Sequence, residues 1–291
     1  MTGPPPPGVE HGHHHRHREQ HGTARITIDA PDRRNALSPT LIRDLTDALE
    51  AAAQDEAVRS VILDHTGSTF CSGADLAAVG DTPPEQVTAS FITVLRTIVE
   101  LPKPVTAVVD GNVRAGGMGL AAACDMVFAS PDSSFATTET RIGVAPAMIA
   151  LTVLPRLTSR AASRFLLTGE RFDAETAERH GLVTAVVEDP HRQARDTADN
   201  LLRCSPQGLR ETKMILNQAV IAGFDTGADA LAAKSAELFA TPEALEGITA
   251  FLQKRPPNWA ARHRPRHHTR TPGVTVTDDR PRSPEDTCRA E

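Results

Sequence analysis

"PVTAVVDGNVRAGGMGLAAACD", residues 104–125, decides the fold. A run of apolar and β-branched residues stops at Asp110-Gly111, and a helix of small residues starts at Gly116-Gly117. Adjacent glycines let main-chain amides approach a ligand atom at a helix N-terminus, where unpaired N–H groups and the helix dipole favour negative charge. The same glycines would also serve close helix–strand packing, so the stretch alone leaves both roles open.

Working outward, "STFCSGADLAAVG" (68–80) follows another strand-like run, "VRSVILDHT" (58–66), so Gly73-Ala74-Asp75 sits at a second strand-to-helix turn. Two such turns with exposed amides could converge on one oxygen. Neither matches GxxxxGK[ST], and no GxGxxG occurs, which disfavours a nucleotide-phosphate cradle. Further along, "SSFATTETRIGVAPAM" (133–148) contains Glu139, the only carboxylate between Asp132 and Glu170. Among small, neutral and apolar neighbours its pKa would rise toward a range useful for acid–base work, although most single glutamates are solvated surface groups.

Alternating strand and helix patterns surround these segments. "ARITIDA" (24–30) alternates as a half-buried strand, and Ser38-Pro39 supplies an N-cap and first helical position for Ile42, Leu45 and Leu49. Val87, Phe91, Leu95 and Ile98 mark the face of a second helix. From Glu170 to Phe251 helical patterns dominate around one strand-like run, "GLVTAVVE" (181–188). The expectation is an α/β fold. Residues 1–22, rich in Pro and His, read as a disordered leader, and 259–291, rich in Arg, His, Pro and Thr, as a second solvated tail. His13, His14 and His15 lack carboxylate or cysteine partners and would hold a metal only loosely.

The 291 residues carry 31 Lys+Arg against 37 Asp+Glu, a formal charge of -6, with no Tyr and one Trp, which argues against nucleic acid and anionic membranes. Four cysteines form no CxxC pair and suggest reduced thiols in a cytoplasm. No apolar run of membrane-spanning length and no signal-peptide pattern occurs. Cys71 and Cys124 read as buried structural thiols, His65 and His180 as lacking metal-spaced partners, and Asp64, Asp110 and Asp125 as strand-end or junction residues. Met118, Met148, Ile149, Phe91 and Leu95 are candidates for an acyl pocket or for the core, and "GDTPPEQ" (80–86) for a mobile wall of that pocket.

Six segments together resemble the crotonase superfamily, the enoyl-CoA hydratase/isomerase family: "RNALS" (34–38), "FCSGADL" (70–76), "GNVRAGGMGLAAACD" (111–125), "FATTETRIGVAP" (135–146), "LTGERFDAETAERHGLVTAVV" (167–187) and "FLQKRPPNW" (251–259). The resemblance implies a spiral of ββα units over about 23–200 and a helical trimerisation region over 201–258, giving trimers or hexamers. It implies an acyl-CoA thioester substrate, with no separate cofactor and no metal. By motif position, the amides of Ala74 and Gly116 would hold the thioester oxyanion. Arg34, Ala36, Ser72 and Asp75 would hold the CoA end, and Phe251 and Lys254 lie in a segment that often completes that site.

The sequence departs from the two-glutamate hydratase pattern at one position. Glu139 matches the second glutamate; Gly119 stands where the first would be. The family likeness therefore leaves a one-glutamate hydratase, with wording near branched or glutaconyl-type hydratases, beside a double-bond isomerase using Glu139 as proton shuttle and a non-catalytic acyl-CoA-binding protein.

Overall fold

The computed structural model describes residues 17–19, 22–76 and 83–261. Its first strands are β1 (His17–Glu19) and β2 (Thr23–Ile28); helix α1 (Pro39–Gln54) follows, capped by Ser38 Oγ accepting from Leu41 N at 3.1 Å, as the Ser-Pro signal requires. Three successive strand pairs come next: β3 (Ser60–His65) and β4 (Thr69–Cys71), β5 (Val105–Val109) and β6 (Asn112–Arg114), β7 (Met126–Ala129) and β8 (Ser134–Ala136). Helix α2 (Pro84–Glu100) follows the first pair, α3 (Gly116–Ala123) the second, and a 3-10 turn at Glu139–Ile142 with α4 (Ala147–Val153) the third.

Each pair sends one strand to each of two sheets, which makes the chain a spiral of ββα turns. One sheet runs β1-β2-β3-β5-β7-β10, parallel except for β1, with β10 at Ala185–Val186. The other runs β4-β6-β8-β9, parallel except for β9 (Phe172–Asp173). The first turn of the spiral has no second strand; a single parallel bridge, Leu37 to Ala74, stands in its place.

The continuous apolar character of β3 follows from burial on both faces. Leu63 packs into the main core with Leu49, Phe70 and Leu95, while Ile62 faces the opposite side with Val108, Phe128 and Ala194 of α7 (Pro190–Leu201). Helices α5 (Ser159–Thr168) and α6 (Ala174–Arg179) flank β9 in sequence. Helix α8 (Pro206–Phe239) packs on α2 and α4, so the expected 23–200 and 201–258 regions share an interface. Lys213, only 3% exposed, anchors it: Nζ lies 2.8 Å from Asp125 Oδ2 and donates to the carbonyls of Ile98 and Lys103. Asn217 Nδ2 donates to Asp125 Oδ1, and Val105 N donates to Asp125 Oδ2, so Asp125 ties the end of α3 to β5 and to α8.

The compact unit ends at Pro257, after α9 (Pro242–Leu252); α10 (Asn258–Ala261) belongs to a separate C-terminal unit. The expected leader needs one correction. His17–Glu19 forms an edge strand registered His17 to Arg25, because antiparallel pairing uses backbone groups and requires no apolar side chain. The histidines at 13–15, part of the "GDTPPEQ" segment and most of the expected tail lie outside the described residues; Pro84 within that segment opens α2.

Candidate active site

The site begins with a backbone stitch between the first and second spiral turns. Leu37 N donates to Gly73 O at 2.8 Å, Asp75 N to Leu37 O at 3.4 Å and Ser72 N to Arg34 O at 3.2 Å. In a parallel bridge of this kind the amide of Ala74 points away from Leu37, and it has no acceptor among the described residues. Gly73, at φ +92°, makes the turn possible. Arg34 and Asn35, at φ 54° and 53°, bend the facing segment. Asn35 is fully buried, donating to the carbonyls of Thr66 and Thr69 and accepting from Ala30 N. Its part as keystone of the turn was available from the left-handed tolerance of Asn, yet the motif reading passed over it.

The glycine stretch supplies the second amide. Ala115 takes φ 46°, ψ −117°, a strained conformation of the kind that collects at functional sites, and Gly116 opens α3 with its N–H unpartnered among the described residues. The two turns abut: a Cβ built on Gly73 would lie 3.3 Å from Gly116 N. Two main-chain donors from different strands thus face the same region, with the positive end of α3 behind one of them.

Both turns line a cavity of about 630 Å³ whose wall includes Ala74, Gly116 and Glu139, together with Arg34, Ala36, Ser72 and Asp75. Every residue expected at the catalytic or CoA-binding position therefore comes to one cavity, while Gly119 does not reach its wall. Asp75 is engaged within the protein, its Oδ2 2.5 Å from Arg33 Nη2, a cation the motif reading did not single out. Phe91, Met148, Ile149 and Phe251 line the cavity; Met118 and Leu95 are wholly buried in the core instead, and Arg255 rather than Lys254 reaches the wall.

Glu139 begins the 3-10 turn after β8. Its Oε2 is buried without a hydrogen-bond partner among the described residues, and burial pushes the carboxyl up to about 7, against a smaller lowering by its own backbone N–H. Gly119 is explained by its neighbour: a Cβ there would lie 2.8 Å from Ile149 Cγ2, and Gly119 O accepts from Thr152 Oγ1 at 3.0 Å. Helix α4 fills the place a carboxylate would need.

The other candidates are structural. Burial pushes the Cys71 and Cys124 thiols up to about 12, which leaves them inert as nucleophiles. His65 Nε2 accepts from Asp110 N at 3.0 Å, and burial lowers its pKa. His180 Nδ1 lies 3.0 Å from Thr158 Oγ1.

A spiral of ββα turns thus brings two main-chain donors and one buried carboxyl to the wall of a single cavity. The family model described as enoyl-CoA hydratase/isomerase matches residues 18–262, and the chain belongs to that family. A crystal structure of an enoyl-CoA hydratase from Mycobacterium avium is similar at TM-score 0.76 with 50% identity, over 81% of this chain and 93% of that one. Carnitinyl-CoA hydratase from the same organism is similar at TM-score 0.74 with 31% identity, over 84% and 97%. The mitochondrial methylglutaconyl-CoA hydratase of Mus musculus is 30% identical over 257 residues, covering 84% of this chain and 82% of the relative.

Proposed function

We propose that the chain is an enoyl-CoA hydratase that adds water to a 2-enoyl-CoA thioester with Glu139 as its single acid–base group. The observation that carries the reading is the Glu139 carboxyl, buried, unpartnered at Oε2 and raised to about 7, on the wall of the cavity that the Ala74 and Gly116 amides also line. A group with a pKa near the working pH serves both directions of proton transfer.

In this mechanism the thioester carbonyl oxygen accepts from Ala74 N–H and Gly116 N–H. Glu139 as carboxylate takes a proton from water while the water oxygen bonds to C3, and negative charge collects on the thioester oxygen as an enolate. The two amides stabilise that charge without reorganising. Glu139, now protonated, delivers its proton to C2 and returns to the carboxylate. One group completes the cycle, so Gly119 needs no acid. Arg34, Ala36, Ser72 and Asp75 are assigned to the CoA end, and the substrate brings the only coenzyme.

The filled space at Gly119 also favours a second reading, a double-bond isomerase in which Glu139 carries a proton between carbons. A non-catalytic binding protein is the weaker alternative, because burying an unpartnered carboxyl is costly without a chemical use. Incubation with a 2-enoyl-CoA and a 3-enoyl-CoA, followed by mass spectrometry, tests these readings. Hydration adds the mass of one water to the 2-enoyl thioester; migration of the 3-enoyl double bond without mass change would replace hydratase by isomerase.

The proposed assembly is a homotrimer or hexamer, supported by exposed Ile215 and Leu216 on α8 and Leu245 and Leu252 on α9. No described helix is long and apolar enough to cross a membrane. The proposed cytoplasmic setting rests on the free thiols of Cys71, Cys124 and Cys204.

A further inference from the structure

Helix α8 buries three polar side chains, Lys213, Asn217 and Ser235, along one stripe. Val220 and Phe224 continue the stripe at helical spacing, and Ala228 and Leu231 pack on the core between Phe224 and Ser235. The first two polar groups are satisfied: Lys213 by Asp125 and two carbonyls, Asn217 Nδ2 by Val99 O and Asp125 Oδ1. Ser235 is only 2% exposed, and its hydroxyl makes no hydrogen bond among the described residues, whereas Thr226 of the same helix donates to Ala222 O. A buried hydroxyl without a partner is uncommon, because its lost hydration is not replaced.

That hydroxyl belongs to the cavity wall, and its surroundings there are apolar. Helix α8 packs on α2 and α4, and the side chains with which these three helices line the cavity, among them Phe91, Met148, Ile149 and Phe239, are apolar except that of Ser235. None of them is cationic, so this wall offers nothing to a phosphate or a carboxylate. It suits an acyl chain carrying one neutral polar group.

The helices also give the hydroxyl a place along such a chain. Asn217 reaches Val99, and Asp225 reaches Arg96, so α8 runs antiparallel to α2. From Asp225 to Ser235 α8 advances about 15 Å toward the start of α2, whereas Phe91 lies only about 8 Å from Arg96 in that direction. A Cβ built on Gly116 would meet Phe91 Cζ at 3.4 Å, which sets the phenyl ring beside the thioester-binding turn. Ser235 therefore stands beyond Phe91, on the side away from the amides, where the distal part of an acyl chain would lie.

We propose that Ser235 is a specificity residue that selects enoyl-CoA substrates whose acyl chain carries a hydroxyl group at its distal end. The Ser235 Oγ–H donates to the substrate oxygen, and Ser235 Oγ accepts from the substrate O–H, inside a wall that excludes charged groups. The inference rests on the acyl-CoA reading of the cavity and deepens it by naming the substrate class and the side chain that reads it.

Saturated thioesters, which cannot be hydrated, test this by binding alone. In calorimetry the wild-type chain binds 6-hydroxyhexanoyl-CoA or 8-hydroxyoctanoyl-CoA more tightly relative to its unsubstituted parent than S235A does, by about tenfold. S235T, which keeps the hydroxyl, retains part of the difference. Because Ser235 has no protein partner to lose, S235A melts no lower than wild type. Ratios that are the same in wild type and S235A at both chain lengths, or a melting temperature of S235A well below wild type, would overturn the proposal. A hydroxyacyl preference retained in a chain that hydrates neither 2-octenoyl-CoA nor 8-hydroxy-2-octenoyl-CoA would sink the hydratase reading and leave the role of Ser235 standing. Failure of every thioester to bind would remove the acyl-CoA reading, and this proposal with it.

Discussion

Ile149 of α4 occupies the space into which a side chain at Gly119 would project, its Cγ2 only 2.8 Å from the Cβ position. The departure from the two-glutamate pattern is therefore a packing arrangement of two helices as well as the absence of one acid. Restoring the acid requires room as well as a codon.

Gly119→Glu is expected to lower stability by about 1–3 kcal/mol or more through overpacking, and to leave turnover below wild type. Combining it with Ile149→Ala recovers part of the melting temperature. Thermal melts with kcat/KM on a 2-enoyl-CoA check this; a single variant that melts like wild type and works faster contradicts the packing account.

Glu139→Gln is expected to reduce turnover by roughly 100- to 10,000-fold with acyl-CoA affinity nearly kept. Stability should move in a pH-dependent way. The folded carboxyl is raised from 4.5 to about 7, so the native state holds its proton more tightly than the unfolded chain. Its contribution is fully present below about 4.5 and is lost as pH rises through about 7. Melts at pH 5 and pH 8 should show Glu139→Gln gaining on wild type at the higher pH, and a constant difference between them would count against the raised pKa.

Gly116→Pro removes one oxyanion donor at the first position of α3, where proline suits the helix backbone. The added Cβ would meet Leu37 Cδ1 at 2.7 Å, the far end of a flexible side chain, and Gly116→Ala imposes the same contact while keeping the N–H. Turnover of the proline variant is expected to fall about 100- to 1,000-fold below that of the alanine variant. Equal rates would remove the Gly116 amide from the mechanism.

Lys213→Met is expected to cost about 3–5 kcal/mol, because it leaves Asp125 without its cation in the α8 junction. Neither Lys213 nor Asp125 lines the cavity, so denaturant titration should register the change while the pH profile of turnover keeps its shape. A shifted profile would mean that the junction tunes Glu139.

Much of this arrangement was legible in the residues. The Ser38-Pro39 cap, the strand at 60–65 and the turns at Gly73 and Gly116 follow from local signals that the tertiary structure reinforces, and the motif positions of Ala74, Gly116 and Glu139 meet at one cavity. What escaped depends on register or on contact between distant segments. His17–Glu19 has no apolar signature because its pairing is backbone alone. Met118 and Met148 are equally plausible pocket residues by composition, but helix packing buries the first and leaves the second at the cavity.

The Leu37–Ala74 bridge has a consequence for how such a site can diversify. Because its donors belong to the main chain, the side chain at 74 supplies none of them, and substitution there leaves the amides in register. Phe91, Met148 and Ile149, which line the same cavity, come instead from helices α2 and α4. Main-chain donors and cavity-lining side chains are thereby kept on separable parts of one spiral, so the lining can change residue by residue without rebuilding the turn that carries the donors.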